Sequence, residues 1–296
     1  MDGILIINKP PGWTSHDVVA RVRRLTHHAA RRVGHAGTLD PMATGVLLVC
    51  LGRATRVAEY LMASDKTYRA VIRLGVETDT YDAEGQVVAT RPVDVDESAL
   101  RSTLGKFVGE IDQVPPMYSA IKREGKPLYK LARLGVEVER EPRHVKIHDI
   151  TLREFLPPDL TIDVRCSSGT YIRSLAHDIG SALGCGAHLT ALTRLASGTF
   201  TLDNAVTLQD LTGLDLPGLL HPLDAALQDL PAVTLDANQA RRIVMGQAIP
   251  ASRVEALAGS LHRAYDADGA LLAIVAYDST TPAWRPKKVL ADADRF

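Results

Sequence analysis

The apolar residues of this 296-residue chain fall into short runs and regular patterns, which limit it to a fold that combines strands with amphipathic helices. Gly3 to Ile7 and Val46 to Leu51 are continuous apolar runs of the kind that form buried strands. From Lys66 to Val76, apolar side chains alternate with polar or smaller ones, which is the period of a strand. Thr14-Ser15 offers an N-cap, and apolar residues then recur at helical spacing as far as Leu25.

The rest of the chain continues this mixed pattern and divides near residue 230. We predict further strands at 144–155 and 160–167, and helices at 54–62, 97–107, 126–134 and 171–183. Residues 31–45 are polar and glycine-rich, which predicts a loop. Prolines at 217, 222 and 231 lie between apolar runs and favour a domain boundary near residue 230. The last segment predicts a small β-rich module with one helix (237–245) and strands near 261–265, 270–277 and 284–290.

Composition is that of an ordinary soluble globular protein, with 46% apolar and 23% charged residues. Cys50, Cys166 and Cys185 form no CxxC pair, which argues against a disulfide framework and against a cysteine zinc site. A reducing cytoplasm is the simplest setting for such a chain. Apolar runs such as Val46 to Leu51 are far shorter than the roughly 20 residues that span a bilayer. The N-terminus also lacks the pattern of a signal peptide.

Charge is nearly balanced overall, with a formal net charge of −1, so it does not by itself indicate a nucleic-acid partner. Locally it is segregated. Residues 1–60 and residues 122–148 each carry eight basic and four acidic side chains, whereas residues 77–112 carry nine acidic and three basic ones. Such segregation could place positive surface on one face, as phosphate binding requires, or reflect an ordinary mixed surface.

The loop Gly34 to Pro41 is the most specific feature that could carry chemistry. Its glycines let the backbone bend sharply, and Asp40 precedes a proline, which disfavours helical backbone there. A carboxylate fixed on such a loop suits a nucleophile or a general base. The alternative is an Asp-Pro turn of the kind found in many proteins.

Two tyrosine-containing segments are weaker candidates. In Gly169-Thr170-Tyr171-Ile172-Arg173, at a helix start, the arginine could pair with a carboxylate and hold it ionised; the alternative is a surface arginine beside a core tyrosine. Tyr68 opens a strand, where tyrosines are usually core or cross-strand partners. No HExxH, P-loop or dinucleotide-binding motif stands in a suitable context, so we expect neither a metal site nor a cofactor site.

Together these segments resemble one family. The likeness rests on six ordered stretches, NKPPGWTSHDVV, GHAGTLDPMATGVL, DKTYRAVIRLG, TDTYDAEG, QVPPMYSAIKREGKPLY and GTYIRSLAHDIG. Their order and spacing resemble the bacterial tRNA pseudouridine-55 synthases of TruB type, from Gly3 to beyond residue 200. The resemblance implies an α/β (α+β) catalytic domain around a mixed, mainly antiparallel sheet over residues 1–229. A small β-barrel-like RNA-binding PUA domain over residues 230–296 is implied to follow.

The same resemblance implies roles for individual residues. Asp40 matches the catalytic aspartate, and the residues matched to substrate binding are His35, Tyr68, Asp82, Tyr171, Arg173 and Leu192. His35 matches the histidine that helps to extrude the target base, and Tyr68 the tyrosine that stacks on it. Arg173 matches the arginine that pairs with the aspartate. Tyr81 departs from the pattern, since many members carry a small residue at this position.

The activity implied is isomerisation of one T-loop uridine of tRNA, by a monomer that needs no cofactor, membrane or protein partner. No atom is gained or lost in this reaction, so it needs no energy source. Two alternatives remain: an RNA-binding protein that helps tRNA to fold without catalysis, and a synthase directed by a guide RNA. Asp40, Tyr68 and Arg173 together favour an enzyme, since a pure binder has no need of them. The stretch 113–148 and the lack of charged low-complexity tails favour the stand-alone type.

Overall fold

A computed structural model describes residues 1–26, 29–30, 32–119, 138–211, 216–251 and 257–292, and the backbone of 122–123 and 126–127. Most of the chain builds one nine-stranded sheet in the order β1-β3-β12-β4-β11-β10-β7, with β2 paired to β3 and β13 to β12. The members are β1 (Gly3–Lys9), β2 (Val33–Ala36), β3 (Thr44–Leu51), β4 (Lys66–Leu74), β7 (Gly109–Gln113), β10 (Arg143–Leu156), β11 (Asp159–Cys166), β12 (Ala187–Ser197) and β13 (Phe200–Thr201).

All pairings in this sheet are antiparallel except that of β3 with β12. The predicted mixed, mainly antiparallel sheet is therefore confirmed. The parallel pair depends on Gly45, because a Cβ atom there would lie 2.3 Å from the carbonyl oxygen of Arg194. The backbones of β3 and β12 thus approach more closely than a side chain at position 45 would allow.

Both faces of the sheet centre are buried, which explains the continuous apolar runs. On β3, Leu47, Val49 and Leu51 join the main core, whereas Val46, Leu48 and Cys50 join a second cluster on the opposite face. Helices cover the main core: α1 (Ser15–Leu25), α3 (Glu97–Gly105) and α4 (Ile172–Ala182). Helix α2 (Ala58–Ala63) packs on the other face, through Leu61.

Helix α1 begins where its sequence predicts. Thr14 is the N-cap and forms a reciprocal capping box with Asp17. Val18, Val19 and Val22 then face the core, as their helical spacing indicates. The helix therefore fixes the chain that follows β1 against the sheet.

Three predicted elements differ from the structure. Residues 31–45 are not all loop, because Val33–Ala36 forms β2, which pairs with Leu48 to Leu51 of β3. The helix predicted at 54–62 consists of a 3-10 turn (Gly52–Arg56) followed by α2. The helix predicted at 126–134 begins on Lys126–Pro127, which is β9 and pairs with β8 (Lys122–Arg123); its remainder lies outside the described residues.

The chain after residue 230 forms a second, five-stranded sheet in the order β14-β16-β17-β18-β15, packed on helix α5 (Ala237–Val244). Its strands are β14 (Ala232–Thr234), β15 (Ile249–Pro250), β16 (Leu261–Tyr265), β17 (Leu271–Asp278) and β18 (Ala283–Val289). The predicted helix and three strands of this segment are thereby confirmed. A short hairpin of β5 (Val76–Thr78) and β6 (Val87–Thr90) and 3-10 turns at Leu202–Asn204, Leu216–Leu219 and Leu223–Leu227 complete the described elements.

The two sheets meet at a small mixed interface. Val57 and Leu227 pack against Ile274 and Leu290 of the C-terminal part. Beside them the Lys288 Nζ donates to the Arg56 carbonyl oxygen at 2.8 Å and pairs with Glu59 at 2.6 Å.

The three cysteines are all buried free thiols. Within the described ranges, no helix combines the length and the apolar character needed to cross a membrane.

Candidate active site

Asp40 lies in the turn that connects β2 to β3. Three buried side chains hold this turn, those of Arg194, Ser15 and Lys9. Gly37 opens it with a φ of +93°, a value that favours glycine. Arg194, from β12, donates to the Gly37 carbonyl at 3.0 Å and to the Val46 carbonyl at 2.6 Å. The Ser15 hydroxyl binds both backbone groups of Leu39, at 2.9 Å and 3.2 Å.

A buried lysine also supports this turn. The Lys9 Nζ donates to the carbonyl oxygens of Pro10, Trp13 and Pro41, at 2.9, 2.6 and 3.0 Å. Burial lowers the pKa of Lys9 to about 8. The backbone on both sides of Asp40 is therefore fixed before any substrate binds.

Arg173 binds Asp40 through two nitrogens. Its Nε lies 2.9 Å from Asp40 Oδ2 and its Nη2 lies 3.2 Å from Oδ1. The Arg173 side chain is 5% exposed and that of Asp40 is 36% exposed, so the carboxylate is partly buried while the arginine is enclosed. A bidentate pair of this kind orients the carboxylate and favours its charged form.

The pKa of Asp40 reflects opposing influences. Burial raises the pKa of this carboxyl above its ordinary value, the Arg173 cation opposes that shift, and the Asp82 charge adds to it. A carboxylate whose pKa lies closer to neutrality is a stronger base than an exposed aspartate.

Asp82 is the second carboxylate of this cluster. Its Oδ2 lies 3.4 Å from Arg173 Nη1, and its Oδ1 accepts from the Thr80 hydroxyl at 2.6 Å and from the Glu84 N–H at 3.1 Å. Arg173 further donates to the Tyr118 carbonyl at 2.7 Å. The guanidinium is thus surrounded by acceptors, and Asp82 lies on the side of it away from solvent, with a side chain that is 6% exposed.

Tyr171 is the N-cap of α4, two residues before Arg173. It has no side-chain cap of its own. Instead the buried amide of Gln113, at the end of β7, binds both the Tyr171 N–H and its carbonyl. Burial raises the pKa of the Tyr171 phenol, and the Asp40 charge adds a smaller increase. The phenol is neutral at neutral pH and lies within electrostatic reach of the aspartate.

Tyr68 and Leu192 lie on neighbouring strands of the sheet. Tyr68 on β4 is opposite Arg194 of β12, and Leu192 is opposite Ala70. Alternation along β12 puts Leu192 on the same face as Arg194, next to the Tyr68 side chain. Burial raises the pKa of Tyr68, against the opposing effect of the Arg194 cation. Both residues therefore lie next to Arg194, which binds the turn that carries Asp40.

His35 lies on β2, opposite Val49, and not in a loop as predicted. Its ring packs edge-on against His16, with 5.2 Å between the centroids, and its Nδ1 is buried without a hydrogen-bond partner in the described chain. Burial lowers the pKa of His35, and electrostatic interactions with His16 and Arg194 lower it further. The histidine is therefore neutral at neutral pH. Its Nδ1 makes no hydrogen bond to Asp40, which lies five residues further along the chain.

Gln113, Arg194 and Ser15 were not indicated by the sequence as site residues. Each acts on backbone groups from a distant element, and no motif marks such contacts. Of the three, Arg194 alone could have been suspected from the sequence, because it is a charged residue inside a mostly apolar strand. Across the described ranges, no group of three or more His, Cys, Asp and Glu side chains has a geometry suited to a metal ion.

The C-terminal sheet carries three clustered basic residues that could bind phosphate, Arg285, Lys287 and Lys288, and two of them are paired with acidic side chains. Arg285 forms an ion pair with Asp278 at 2.7 Å, and Lys288 forms one with Glu59 at the interface between the two sheets. Lys287 is exposed. Of the basic stretch 122–148, the structure describes side chains only from residue 138 onward.

The fold is that of a pseudouridylate synthase, and sequence comparison identifies the family. The family model described as TruB family pseudouridylate synthase (N terminal domain) matches residues 23–172. The one described as tRNA pseudouridylate synthase B C-terminal domain matches residues 173–228. The chain belongs to the TruB family of pseudouridylate synthases.

Relatives and solved structures agree with this assignment. The chain is 50% identical over 281 residues to tRNA pseudouridine synthase B of Burkholderia mallei (strain NCTC 10247), covering 93% of this chain and 92% of that one. It is 51% identical over 255 residues to the protein of the same name from Ralstonia nicotianae (strain ATCC BAA-1114 / GMI1000), covering 84% and 81%. A crystal structure of a Cbf5-Nop10-Gar1 complex has a chain with a TM-score of 0.77 and 30% identity, covering 99% and 86%.

Proposed function

We propose that this chain converts uridine to pseudouridine at position 55, in the T loop of tRNA, with Asp40 as the catalytic residue. The observation that carries the proposal is the bidentate pair of Asp40 with the enclosed Arg173, on a turn fixed by buried side chains. Membership of the TruB family and 50% identity to tRNA pseudouridine synthase B of B. mallei support the reaction and the tRNA substrate.

The reaction is an internal rearrangement of one nucleotide. The C1′–N1 bond of the uridine breaks, the uracil turns, and C5 bonds to C1′. The C5 proton leaves to solvent and N1 takes up a proton, so atoms and electrons balance without a cofactor. The Asp40 carboxylate acts on the ribose, and Arg173 keeps it charged and oriented. A partly exposed carboxylate with an enclosed counter-ion suits this task, because the nucleotide reaches the acid and not the arginine.

The neighbouring residues would bind the extruded nucleotide. Extrusion from the loop costs about a few kcal/mol, and stacking on one aromatic side chain returns about 1–3 kcal/mol. Tyr68 supplies that stack, with Leu192 beside it and Tyr171 closing the pocket near Asp40. A neutral His35 fills the space that the base leaves in the RNA loop. Asp82 acts through Arg173, which it holds from the buried side.

RNA binding outside this pocket would use the basic residues and the C-terminal sheet. We propose that residues 1–229 form the catalytic domain and residues 230–296 a PUA-like RNA-binding domain. We further propose that the enzyme works in the cytoplasm as a monomer, without a guide RNA or a protein partner. One solved relative, at 30% identity, is a Cbf5-Nop10-Gar1 complex, whereas the relatives at about 50% identity are named as tRNA enzymes.

The test is tritium release by the purified chain alone, acting on an unmodified tRNA transcript labelled at uracil C5. Isomerisation exchanges the C5 label of one uridine for solvent hydrogen, so release of one equivalent per tRNA is expected. A transcript with cytidine in place of the T-loop uridine, labelled in the same way, should release none. Binding of the first transcript without release would support an RNA-folding factor instead. Release only after addition of a guide RNA would support a guide-directed enzyme.

A further inference from the structure

Tyr81 has a backbone conformation that a bulky residue rarely adopts. Its φ is +64°, in the left-handed region that favours glycine, and among the described residues it is the only non-glycine with a positive φ. Such outliers persist when their surroundings hold them, and they collect at functional sites. The contacts of Tyr81 therefore need an explanation.

The tyrosine ring stacks on a histidine of helix α4. The rings of Tyr81 and His177 lie 4.1 Å apart between centroids, with 17° between their planes. His177 Nδ1 is buried without a hydrogen-bond partner in the described chain, so this nitrogen does not orient the ring. The backbone of Tyr81 is bound on both sides, by its N–H to Thr78 at 3.2 Å and by its carbonyl to Leu189 at 3.0 Å.

This stack lies one helical turn from Arg173. Residues 173 and 177 are four apart on α4 and lie on one face of it. Each residue of the segment 80–82 contacts this face: the Thr80 carbonyl accepts from Arg173 Nη1 at 3.4 Å, Tyr81 stacks on His177, and Asp82 pairs with Arg173 at 3.4 Å. The two polar contacts are long for hydrogen bonds, whereas the two rings lie at an ordinary stacking distance. The stack is thus a third attachment between the segment and the helix, and it is independent of the two polar contacts.

We propose that Tyr81 and His177 form a positioning pair that holds Asp82 against Arg173 and so fixes the Arg173 guanidinium on Asp40. Neither ring touches the reacting atoms. The pair fastens the loop that carries the second carboxylate to the helix that carries the arginine. This inference rests on the proposed function, since the rate of isomerisation is what it alters.

The left-handed backbone allows a clean test. Tyr81→Gly removes the ring and suits the backbone at the same time, so the fold is kept while the stack is lost. Tyr81→Phe keeps a ring at the same position. His177→Ala and His177→Phe form the matched pair on the helix side, and thermal unfolding checks that each variant folds.

The rate is measured as tritium release from labelled tRNA in a single turnover, together with the Kd for the same tRNA. Misplacement of a catalytic group by about 1 Å costs up to 100-fold in rate, so we expect Tyr81→Gly and His177→Ala to be about 10-fold slower. The Kd should be unchanged, because neither ring binds RNA in this scheme. Tyr81→Phe and His177→Phe should restore most of the rate.

A double-mutant cycle with Asp82→Asn separates positioning from general loosening of the fold. If the rings act through the Asp82 carboxylate, Tyr81→Gly should slow the Asp82→Asn enzyme no further. An additive loss in that background, or the parent rate in Tyr81→Gly, would overturn the proposal.

Absence of release by the parent enzyme would instead reject the proposed function. In that event a crystal structure of Tyr81→Gly decides the inference. Separation of Asp82 Oδ2 from Arg173 Nη1 supports the positioning pair, and an unchanged 3.4 Å contact overturns it.

Discussion

The amide of Gln113 binds both backbone polar groups of Tyr171. Its Nε2 donates to the Tyr171 carbonyl at 3.0 Å, and its Oε1 accepts from the Tyr171 N–H at 2.7 Å. Gln113 is 1% exposed, so water does not replace it. One buried side chain thus joins the end of β7 to the start of the helix that carries Arg173.

Gln113→Leu should therefore destabilise the protein although the two side chains are similar in size. It leaves the Tyr171 N–H buried without a partner, which costs about 1–3 kcal/mol. Urea unfolding should show this loss. The control is Gln86→Leu, at an exposed glutamine, for which a change within about 0.5 kcal/mol is expected. Equal stabilities of the two variants would contradict the capping role.

Asp40→Asn should abolish isomerisation and leave tRNA binding largely intact. The amide is nearly isosteric with the carboxylate but carries no charge for Arg173 and neither attacks the ribose nor accepts its proton efficiently. Tritium release and filter binding on the same tRNA transcript separate the two effects. A rate near that of the parent would remove Asp40 from the mechanism.

The sequence predicts an element of this fold well where all residues of that element are buried or where a local signal marks its start. Val46 to Leu51 reads as a strand because both faces of β3 are buried, and Thr14 marks the start of α1 because capping is local. The sequence does not predict β2, because this strand of four residues contains a glycine and a histidine and is too short for an apolar period; it forms by pairing with β3.

The site was predictable only in part, because its contacts cross long stretches of chain. Asp40 and Arg173 are 133 residues apart, and their pairing was implied by a family resemblance and not by spacing. Arg194 and Gln113 bind backbone groups, and such contacts leave no complementary side chain to recognise in the sequence. The left-handed backbone of Tyr81 is likewise a product of its surroundings.

The rate of isomerisation should fall on acidification. This fall should occur at a higher pH than the pKa of an exposed aspartate would give. Asp40 must be ionised to act, and burial raises its pKa, so it takes up a proton at a higher pH. The Arg173 cation lowers this pKa; consequently the acid limb of the residual activity of Arg173→Leu should move to higher pH. Single-turnover rates from acidic to neutral pH test both statements, and a limb at the ordinary aspartate value in the parent would contradict the first.

The same shift has a consequence for stability. Because the folded-state pKa of Asp40 is raised, the folded protein holds this proton more tightly than the unfolded chain does. The stabilising contribution is present at low pH and is lost as the pH rises through the folded-state pKa. Relative to Asp40→Asn, the parent should therefore lose stability as the pH rises across this window, as measured by urea unfolding at each pH.

Lys66 closes the end of α2, and Lys66→Met should loosen it. The Nζ donates to the carbonyls of Leu61 at 3.2 Å and Met62 at 2.6 Å, and to that of Ser64. Loss of bonds from a charged donor costs about 1.5–3 kcal/mol, so the free energy of unfolding at neutral pH should fall by about 2 kcal/mol.

The pH dependence of this difference gives a second check. Burial lowers the pKa of Lys66 to about 8, so above that pH the folded state holds fewer protons than the unfolded state. Between about 8 and the ordinary lysine value, the parent should gain stability relative to Lys66→Met as the pH rises. A constant difference across that range would show that the buried amine is not perturbed.

Lys287 and Lys288 are adjacent on β18 but should differ in their effect on tRNA binding. Lys287 is exposed, whereas Lys288 is held by Glu59 at 2.6 Å and by the Arg56 carbonyl. If the C-terminal sheet binds phosphate, Lys287→Ala should weaken tRNA binding and reduce the slope of log Kd against log salt by about one. Lys288→Ala should leave that slope unchanged and lower the free energy of unfolding by at most about 1 kcal/mol, since its ion pair is partly exposed. Equal salt slopes for both variants and the parent would mean that this strand does not contact the tRNA backbone. Each phosphate contact releases counterions and so adds to the slope, wherever the contact lies on the protein.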